Sequence, residues 1–356
     1  MVFAAAAALP KVSVSSLQGV KASAAEIVES GYCGTGEYDE ETDTYSYRTS
    51  ASYTLDSDGT LVISGTGNIG EKAFFGSEKI KDLIIEEGIT GVGQYAFSDC
   101  RYLETAKLPE SLEGIYQDGF GRCFMLRSVN IPKKLKVLGS SAFYMCSSLK
   151  SIELPGTLEW VGTMNFYSCD ALESVKLAEG LTTITGGMFE SCSSLKSIEI
   201  PSTVTHIESA AFRNCTALEE AEIPEGVTAM KSSVFENCES LKKVTLPRSL
   251  TEIDINQFYG VKDNVTVYCY KDTAAHLYAK KEAIKFVLLD IIKGDINFDG
   301  RVDTKDAMKA AAFAKKTAAP KNDEEFTAAD VNGDEKLDSK DAMVIISAAK
   351  NKTAVK

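Results

Sequence analysis

Residues 195–217 read LKSIEIPSTVTHIESAAFRNCTA, and the same apolar pattern returns 23 residues on either side. Its first position is held by Ile80, Leu103, Leu126, Leu149, Leu172, Leu195, Leu218 and Leu241. A phenylalanine recurs at 97, 120, 143, 166, 189, 212, 235 and 258 without a slip. Between these anchors fall apolar residues nine and twelve places on, such as Leu112 and Ile115, Leu158 and Val161, Val204 and Ile207, and Leu250 and Ile253. Pro109, Pro132, Pro155, Pro201, Pro224 and Pro247 share one phase; a proline just after a short strand ends the ladder because it has no N–H to donate. A unit this short cannot bury its own apolar face, so neighbouring units must stack around a shared core, which makes a solenoid. With roughly five inward side chains per turn, each worth about 1.5–3 kcal/mol on burial, the gross gain offsets the ordering of the chain.

The consensus L-x-x-[IVA]-x-[LI]-P-x-x-[LV]-x-x-[ILVM]-x-x-x-x-F-x-x-C runs from residue 80 to about residue 263. It resembles the BspA-like leucine-rich repeat family of bacterial surface antigens over more than half the chain. The resemblance implies a right-handed curved solenoid with a strand per turn on one side and tighter, irregular backbone on the other. It also implies a role in adhesion or protein binding, with ligands that differ widely among members.

Seven of the nine cysteines, at 100, 123, 146, 169, 192, 215 and 238, share one phase and so form a column. Equivalent atoms of stacked strands lie about 4.8 Å apart with parallel Cβ vectors, whereas a disulfide needs Cβ atoms about 3.8 Å apart. The column therefore reads as buried thiols packed as small hydrophobes. Cys33 and Cys269 lie outside it, near opposite ends of the repeat array, and are not expected to pair with each other. Solenoid ends need caps. Residues 25–79 supply one, with Ser52–Leu55 and Leu61–Ser64 flanking Asp56-Ser57-Asp58-Gly59 as a hairpin. Residues 264–292 supply the other, read as a strand over Val265–Tyr270, a helix over Thr273–Glu282 and a strand over Ile284–Leu289.

The C-terminal residues carry the strongest chemical signal. Asp295-x-Asn297-x-Asp299-Gly300-x-x-Asp303-x-x-Asp306 recurs as Asp330-x-Asn332-x-Asp334-x-x-x-Asp338-x-x-Asp341. Calcium takes about six to eight hard oxygen ligands, and side chains at loop positions 1, 3, 5, 9 and 12 with a backbone carbonyl at 7 wrap one ion. The position-7 carbonyls are those of Arg301 and Lys336, and apolar Val302 and Leu337 follow at position 8. Two calcium ions are expected. Position 12 is Asp where Glu is common, no amphipathic helix precedes the first loop, and Glu335 stands at position 6 of the second, where glycine is usual.

The module over residues 293–352 resembles a type I-like dockerin, a duplicated loop–helix unit whose halves are here offset by 35 residues. The helices open with Lys305-Asp306-Ala307-Met308 and Lys340-Asp341-Ala342-Met343. The resemblance implies a cohesin module of a scaffoldin as partner. Thr304, Lys305, Ser339 and Lys340, with the exposed helix faces, would be its contacts, and the likeness of the halves implies two alternative docking orientations. The expected fold class is thus α+β multidomain: a β-rich leucine-rich-repeat solenoid followed by a small α-helical dockerin with two calcium loops.

A net charge of -13 and a sequence pI of about 4.9 argue against nucleic acid, whose phosphates need clustered Lys and Arg. No apolar run is long enough to span a membrane. Val2–Leu9 is apolar and Ala22-Ser23-Ala24 fits a signal-peptidase site, so residues 1–24 read as a signal peptide and the protein as extracellular. No Lys or Arg precedes the apolar run, and an Ala-rich tail is the competing reading. No enzyme is expected. His206 and His276 are the two histidines and neither has a nucleophile motif beside it. Acidic residues of the repeats recur with Lys at exposed phases, as in Lys150, Glu173, Lys196, Glu219 and Lys242.

The functional expectation is a secreted, non-catalytic cellulosome-type component, anchored by its dockerin and presenting the repeats to a protein or polysaccharide. On the strand face the outward positions Ser128, Ser151, Ser174, Ser197, Glu153, Lys176 and Glu199 name no partner. One alternative is a carbohydrate-binding module using Trp160 or the Tyr38, Tyr45, Tyr47 and Tyr53 segment, residues that packing of a cap explains more readily. The other is an unrecognised glycoside hydrolase, which needs two carboxyls at a fixed separation.

Overall fold

The computed structural model describes residues 25–39, 44–47, 50–298 and 301–351; the export segment read over residues 1–24 lies outside them. A β-solenoid of about ten turns is followed by C-terminal helices. The described residues divide into two compact units, one running to residue 221 and adding 229–241 and 254–261, the other holding 222–228, 242–253 and the residues from 262 onward.

The first unit begins with strand Ile27–Tyr32, antiparallel to Ser52–Asp56, which in turn pairs antiparallel with Thr60–Ser64. The hairpin turn between the last two forms because Asp56 Oδ1 accepts the N–H groups of Asp58 and Thr60, at 3.0 and 2.8 Å. Gly59, at φ +93, supplies the left-handed step. From Thr60 onward the pairing turns parallel, through Asp82–Ile85 and Thr105–Lys107 to Ser128–Val129. Ser151–Leu154 pairs in the same sense with Ser174–Leu177. A second ladder of two-residue rungs holds Gly114–Ile115, Val137–Leu138 and Trp160–Val161. Each rung sits on the next at the sequence repeat, Val137 opposite Trp160 and Ser151 opposite Ser174. One turn of chain therefore equals one repeat of sequence. The first turn is a residue shorter, with Leu61 opposite Leu83, and a register shift between Gly67 and Asn68 absorbs the difference.

Behind the ladders the phenylalanines form a continuous stack from Phe74 to Phe258, neighbouring centroids 5.2–6.0 Å apart and rings within 11° of parallel. Phe74 lies in the segment read as the N-terminal cap, and its ring meets the edge of Tyr53 at 5.0 Å. The backbone carrying this stack is not a strand. N–H groups alternate between local turns and the next coil: Tyr95, Phe97 and Asp99 donate to the carbonyls of Gln117, Gly119 and Gly121 at 2.9, 2.9 and 2.8 Å. Ala96, Ser98 and Cys100 donate back to Gly93, Tyr95 and Phe97. This alternation needs a left-handed residue two places before and two places after each phenylalanine. Tyr95, Asp118, Ser141, Met164, Gly187, Ala210, Ser233 and Asn256 form one such column, and Asp99, Arg122, Met145, Ser168, Ser191, Asn214 and Asn237 another.

All nine cysteines are free and buried. In the column each thiol donates to the carbonyl of a phenylalanine in the preceding turn, from Cys100 to Phe74 at 3.1 Å through to Cys238 to Phe212 at 3.1 Å. Burial pushes the Cys100 and Cys238 thiols up to about 12 and those between them well above the ordinary thiol range. The one place where the repeat's strand lapses is Ser197–Ile200, which forms no regular strand although Ile198 stays buried. The ring stack continues unbroken past it, from Phe189 to Phe212.

The second unit contains parallel strands Lys243–Thr245, Thr266–Cys269 and Lys285–Leu288. Between the last two runs helix α1, Ala274–Lys281, whose N-cap Thr273 accepts the N–H of His276. These are the strand, helix and strand expected at the C-terminal cap. His276 is buried, accepts the Asp272 N–H on Nδ1 at 3.1 Å, and sets its ring at 4.9 Å from that of Phe286, so it is a packing residue. Three helices follow: α2 at Thr304–Ala314, α3 at Asp323–Ala329 and α4 at Ser339–Asn351. They close on a small core of Ile296, Ala310, Phe313, Ala328, Ala329, Ala342 and Ile345, with Val302 and Leu337 packed against it. The resemblance to dockerins implied α2 and α4, each of which starts one residue earlier than read. It did not foretell α3, which is capped by the Asn322 side chain accepting from Glu325 N at 2.9 Å.

Candidate metal centre and docking faces

The two loops are built on one plan. In the first, Asp306 Oδ1 accepts from Ile296 N and Asn297 N at 2.8 and 3.0 Å, while Oδ2 accepts from Asp303 N at 3.0 Å. In the second, Asp341 Oδ1 accepts from Val331 N and Asn332 N at 3.1 and 3.4 Å, and Oδ2 from Asp338 N at 3.1 Å. Each position-12 carboxylate thus gathers the N–H groups of loop positions 2, 3 and 9 and closes the loop on its own helix. Position 9 repeats as well: Asp303 and Asp338 accept from Lys305 N and Lys340 N at 2.8 and 2.7 Å. These are helix caps, so the same carboxylates that could ligate an ion also start α2 and α4.

Asp295, Asp306, Asp330 and Asp341 are buried, although carboxylates are seldom buried without a charge partner. In the second loop, oxygens of Asp330, Asp334 and Asp341 lie within 4.8 Å of one another. Asp330 accepts from Gly333 N and Glu335 N at 2.9 and 3.1 Å. Asn332 Oδ1 accepts from Asp334 N at 2.8 Å, and Asp334 Oδ1 from Lys336 N at 3.1 Å. Burial raises the Asp330 carboxyl above its ordinary value, with Asp341 and Asp334 adding to the rise and Lys293 opposing it. A convergent, oxygen-only set of crowded carboxylates fits a hard divalent cation, which removes their mutual repulsion and replaces lost hydration.

Of the expected ligand residues, Asp295, Asn297, Arg301, Asp303 and Asp306 lie in the first loop, and Asp330, Asn332, Asp334, Lys336, Asp338 and Asp341 in the second. Asp299 and its neighbour Gly300 lie outside the described residues. Position 4 is left-handed in both loops, Phe298 at φ +61 and Gly333 at φ +74, and so is Glu335 at φ +62. Two lysines that spacing did not single out also belong to the site. Lys293 donates to the Asp330 carbonyl at 2.5 Å. Lys309 donates to the Ile296 carbonyl at 3.2 Å and to Glu325 at 2.8 Å. Burial alone would raise the Glu325 carboxyl, but hydrogen bonds from Lys309 and the Lys321 backbone hold it below its ordinary value.

Thr304, Lys305, Ser339 and Lys340 are all exposed. So are Met308 and Met343, at 75% and 66%, each one helical turn beyond. The faces differ further along: α4 exposes Val344 and Ile346, where α2 has half-buried Lys309 and Ala311.

Elsewhere, the outward serines and charges named from the strand pattern are exposed, and Lys176 meets Glu153 of the neighbouring rung at 2.6 Å. Trp160 is 53% exposed and lies outside the buried core, whereas Tyr53 is half-buried and bonded to Glu29 at 2.9 Å. The side chains of Tyr38, Tyr45 and Tyr47 lie outside the description, though their strands pair antiparallel.

The model of the BspA type leucine rich repeat region matches residues 67–195 and 139–266, which together span more than half of the 356-residue chain. The chain belongs to the BspA type leucine-rich repeat family. The model of the dockerin type I domain matches residues 293–348, and the C-terminal module is a type I dockerin. Both are interaction modules typical of secreted or cell-surface proteins, and dockerins generally bind calcium.

A leucine-rich repeat protein from Bacteroides ovatus is similar in structure, with TM-score 0.56 and 24% identity over 71% of this chain; the chain spans 65% of that protein's length. That likeness supports the solenoid fold. A leucine-rich repeat protein from Eubacterium ventriosum matches at TM-score 0.39 and 20% identity, over 67% of this chain and 82% of its own. The T. pallidum leucine-rich repeat protein matches at 0.39 and 24%, over 53% and 86%. No curated protein matches the chain. Among the described residues no helix is long and apolar enough to cross a membrane.

Proposed function

We propose that the protein is a secreted, non-catalytic component of a cellulosome-type assembly, held by its dockerin to a scaffoldin cohesin and presenting its repeats for protein binding or adhesion. The observation that carries this reading is the shared wiring of the position-9 and position-12 aspartates in two oxygen-lined loops, each opening a helix with an exposed methionine. One ion in each loop would be held by Asp295, Asn297, Asp299, the Arg301 carbonyl, Asp303 and Asp306, and by Asp330, Asn332, Asp334, the Lys336 carbonyl, Asp338 and Asp341. Calcium, when bound, supplies the positive charge that joins the first and last residues of a loop. The proposed organisation is a signal peptide over 1–24, caps over 25–79 and 264–292, repeats over 80–263 and the dockerin over 293–352.

Thr304 and Lys305 with Met308 form one docking face, and Ser339 and Lys340 with Met343 the other. Because α4 also exposes Val344 and Ile346, its face buries more apolar area and should dominate. Surface plasmon resonance against a panel of cohesins tests this. Changing Ser339 and Lys340 to Ala should weaken binding about tenfold, and changing Thr304 and Lys305 less, since each leaves the other face usable. Abolition of binding by the Thr304 and Lys305 pair alone would refute two-way docking, and persistence of binding in excess chelator would refute calcium dependence.

The exposure of Trp160 favours a second reading of the solenoid, as a carbohydrate-binding surface. Tyr116 is partly exposed on the same ladder, its ring against Gly114, with half-buried Val137 on the rung between it and Trp160. Pull-down on insoluble plant polysaccharide decides it: retention lost in Trp160→Ala supports a glycan ligand, and no retention of the unaltered chain leaves protein binding.

A further inference from the structure

Glu335 occupies the loop position where a sharp turn calls for glycine, yet it holds the left-handed conformation, φ +62, with a full side chain. That side chain has a use. Its carboxylate pairs with Lys285 Nζ on the cap strand Lys285–Leu288, while its own N–H is tied to Asp330 Oδ2 at 3.1 Å. Two more cap lysines reach the same module. Lys280 of α1 lies 3.5 Å from Asp323 of α3, and Lys271 Nζ sits 5.7 Å from the centroid of Phe298 in the first loop. Helix α3 also packs against the strand carrying Lys285. Surface pairs of this kind are individually weak, but here three lysines of the cap, from the α1 segment and the strand after it, reach α3 and both loops. The docking residues Thr304, Lys305, Met308, Ser339, Lys340 and Met343 are left exposed.

We propose that Glu335 is a clasp that seats the dockerin on the C-terminal cap, so that filling the second loop stiffens the cap strand. The proposal rests on the calcium reading of that loop. Asp334 and Lys336, on either side of Glu335, are both ligand positions, so a bound ion fixes the backbone from which the Glu335 carboxylate projects. The module is therefore held in a set orientation on the cap while both cohesin faces stay open.

Hydrogen exchange of the full chain, read by mass spectrometry with excess calcium and with chelator, tests the clasp. In the unaltered chain calcium should slow exchange of residues 285–288 about fivefold, the scale that several such pairs supply together. In Glu335→Gly, and separately in Lys285→Glu, residues 331–341 should still gain protection with calcium while residues 285–288 no longer respond. A cap strand indifferent to calcium in the unaltered chain, beside a loop that responds, overturns the clasp alone. So does a calcium response of the strand that survives either substitution. If the loop itself does not respond, the calcium reading falls and the clasp with it.

Discussion

Each thiol of the cysteine column does two things at once: it fills a small apolar space and it donates to a phenylalanine carbonyl one turn back. Cys146→Ala should therefore cost about 1–3 kcal/mol, the loss of a buried donor added to a small cavity, measured as a shift in the urea midpoint. Because burial holds the thiols far above neutrality, a thiol-specific reagent should label none of the nine until denaturant is added. The period of the cysteines was plain in the sequence, and so was their failure to pair; the S–H donation was not, since it depends on which carbonyl faces the column. The left-handed columns were equally hidden. Their members include Tyr95, Asp118, Ser141 and Met164, none of them glycine, because inter-turn hydrogen bonds over-determine the backbone there. Ser141→Val should cost about 1–2 kcal/mol, a β-branched residue being poorly tolerated at φ +59, while Ser141→Gly should change stability by less than about 1 kcal/mol.

At the scale of the turn, repetition was the readable property, and the phase of the first-position anchors and of the phenylalanines from 80 to 258 could be assigned from their 23-residue spacing alone. Phe74 stands 23 residues before Phe97 and keeps the phase, but the turn that carries it is one residue short before Asn68, so the apolar anchors that mark the other turns are displaced there. Phe143→Ala, in the middle of the stack, removes a ring lying 5.4 Å and 5.6 Å from its two neighbours. The expected loss is about 3–5 kcal/mol, visible as a lowered denaturation midpoint of the solenoid with the dockerin's calcium response unchanged. In the dockerin, the aspartate spacing marked both loops because calcium geometry constrains it, while the helices after them were implied by the resemblance to dockerins. Helix α3 carries no such constraint, and Lys293 and Lys309 join the site through folding alone. The second half departs from the first where Val344 replaces Lys309, a difference that spacing cannot show but that decides which face is more apolar.

At the scale of the molecule, a repeat array sums its stability over many similar turns, whereas the dockerin's buried core, among the described residues, is seven side chains, four of them alanines. With calcium as its ligand, such a module would gain stability by mass action on the folded loops. The buried carboxylates make that dependence steep, since without a cation their crowding opposes folding. Removal of calcium should therefore melt α2 to α4 and leave the solenoid intact. The decisive measurement is calorimetric titration of the chelator-stripped chain with calcium, with circular dichroism recorded alongside. The account predicts saturation at two ions per chain and a gain of helical signal that is lost in an Asp306→Ala, Asp341→Ala double variant. A chain that takes up no calcium, or whose helices are fully formed without it and unchanged by it, would contradict the account.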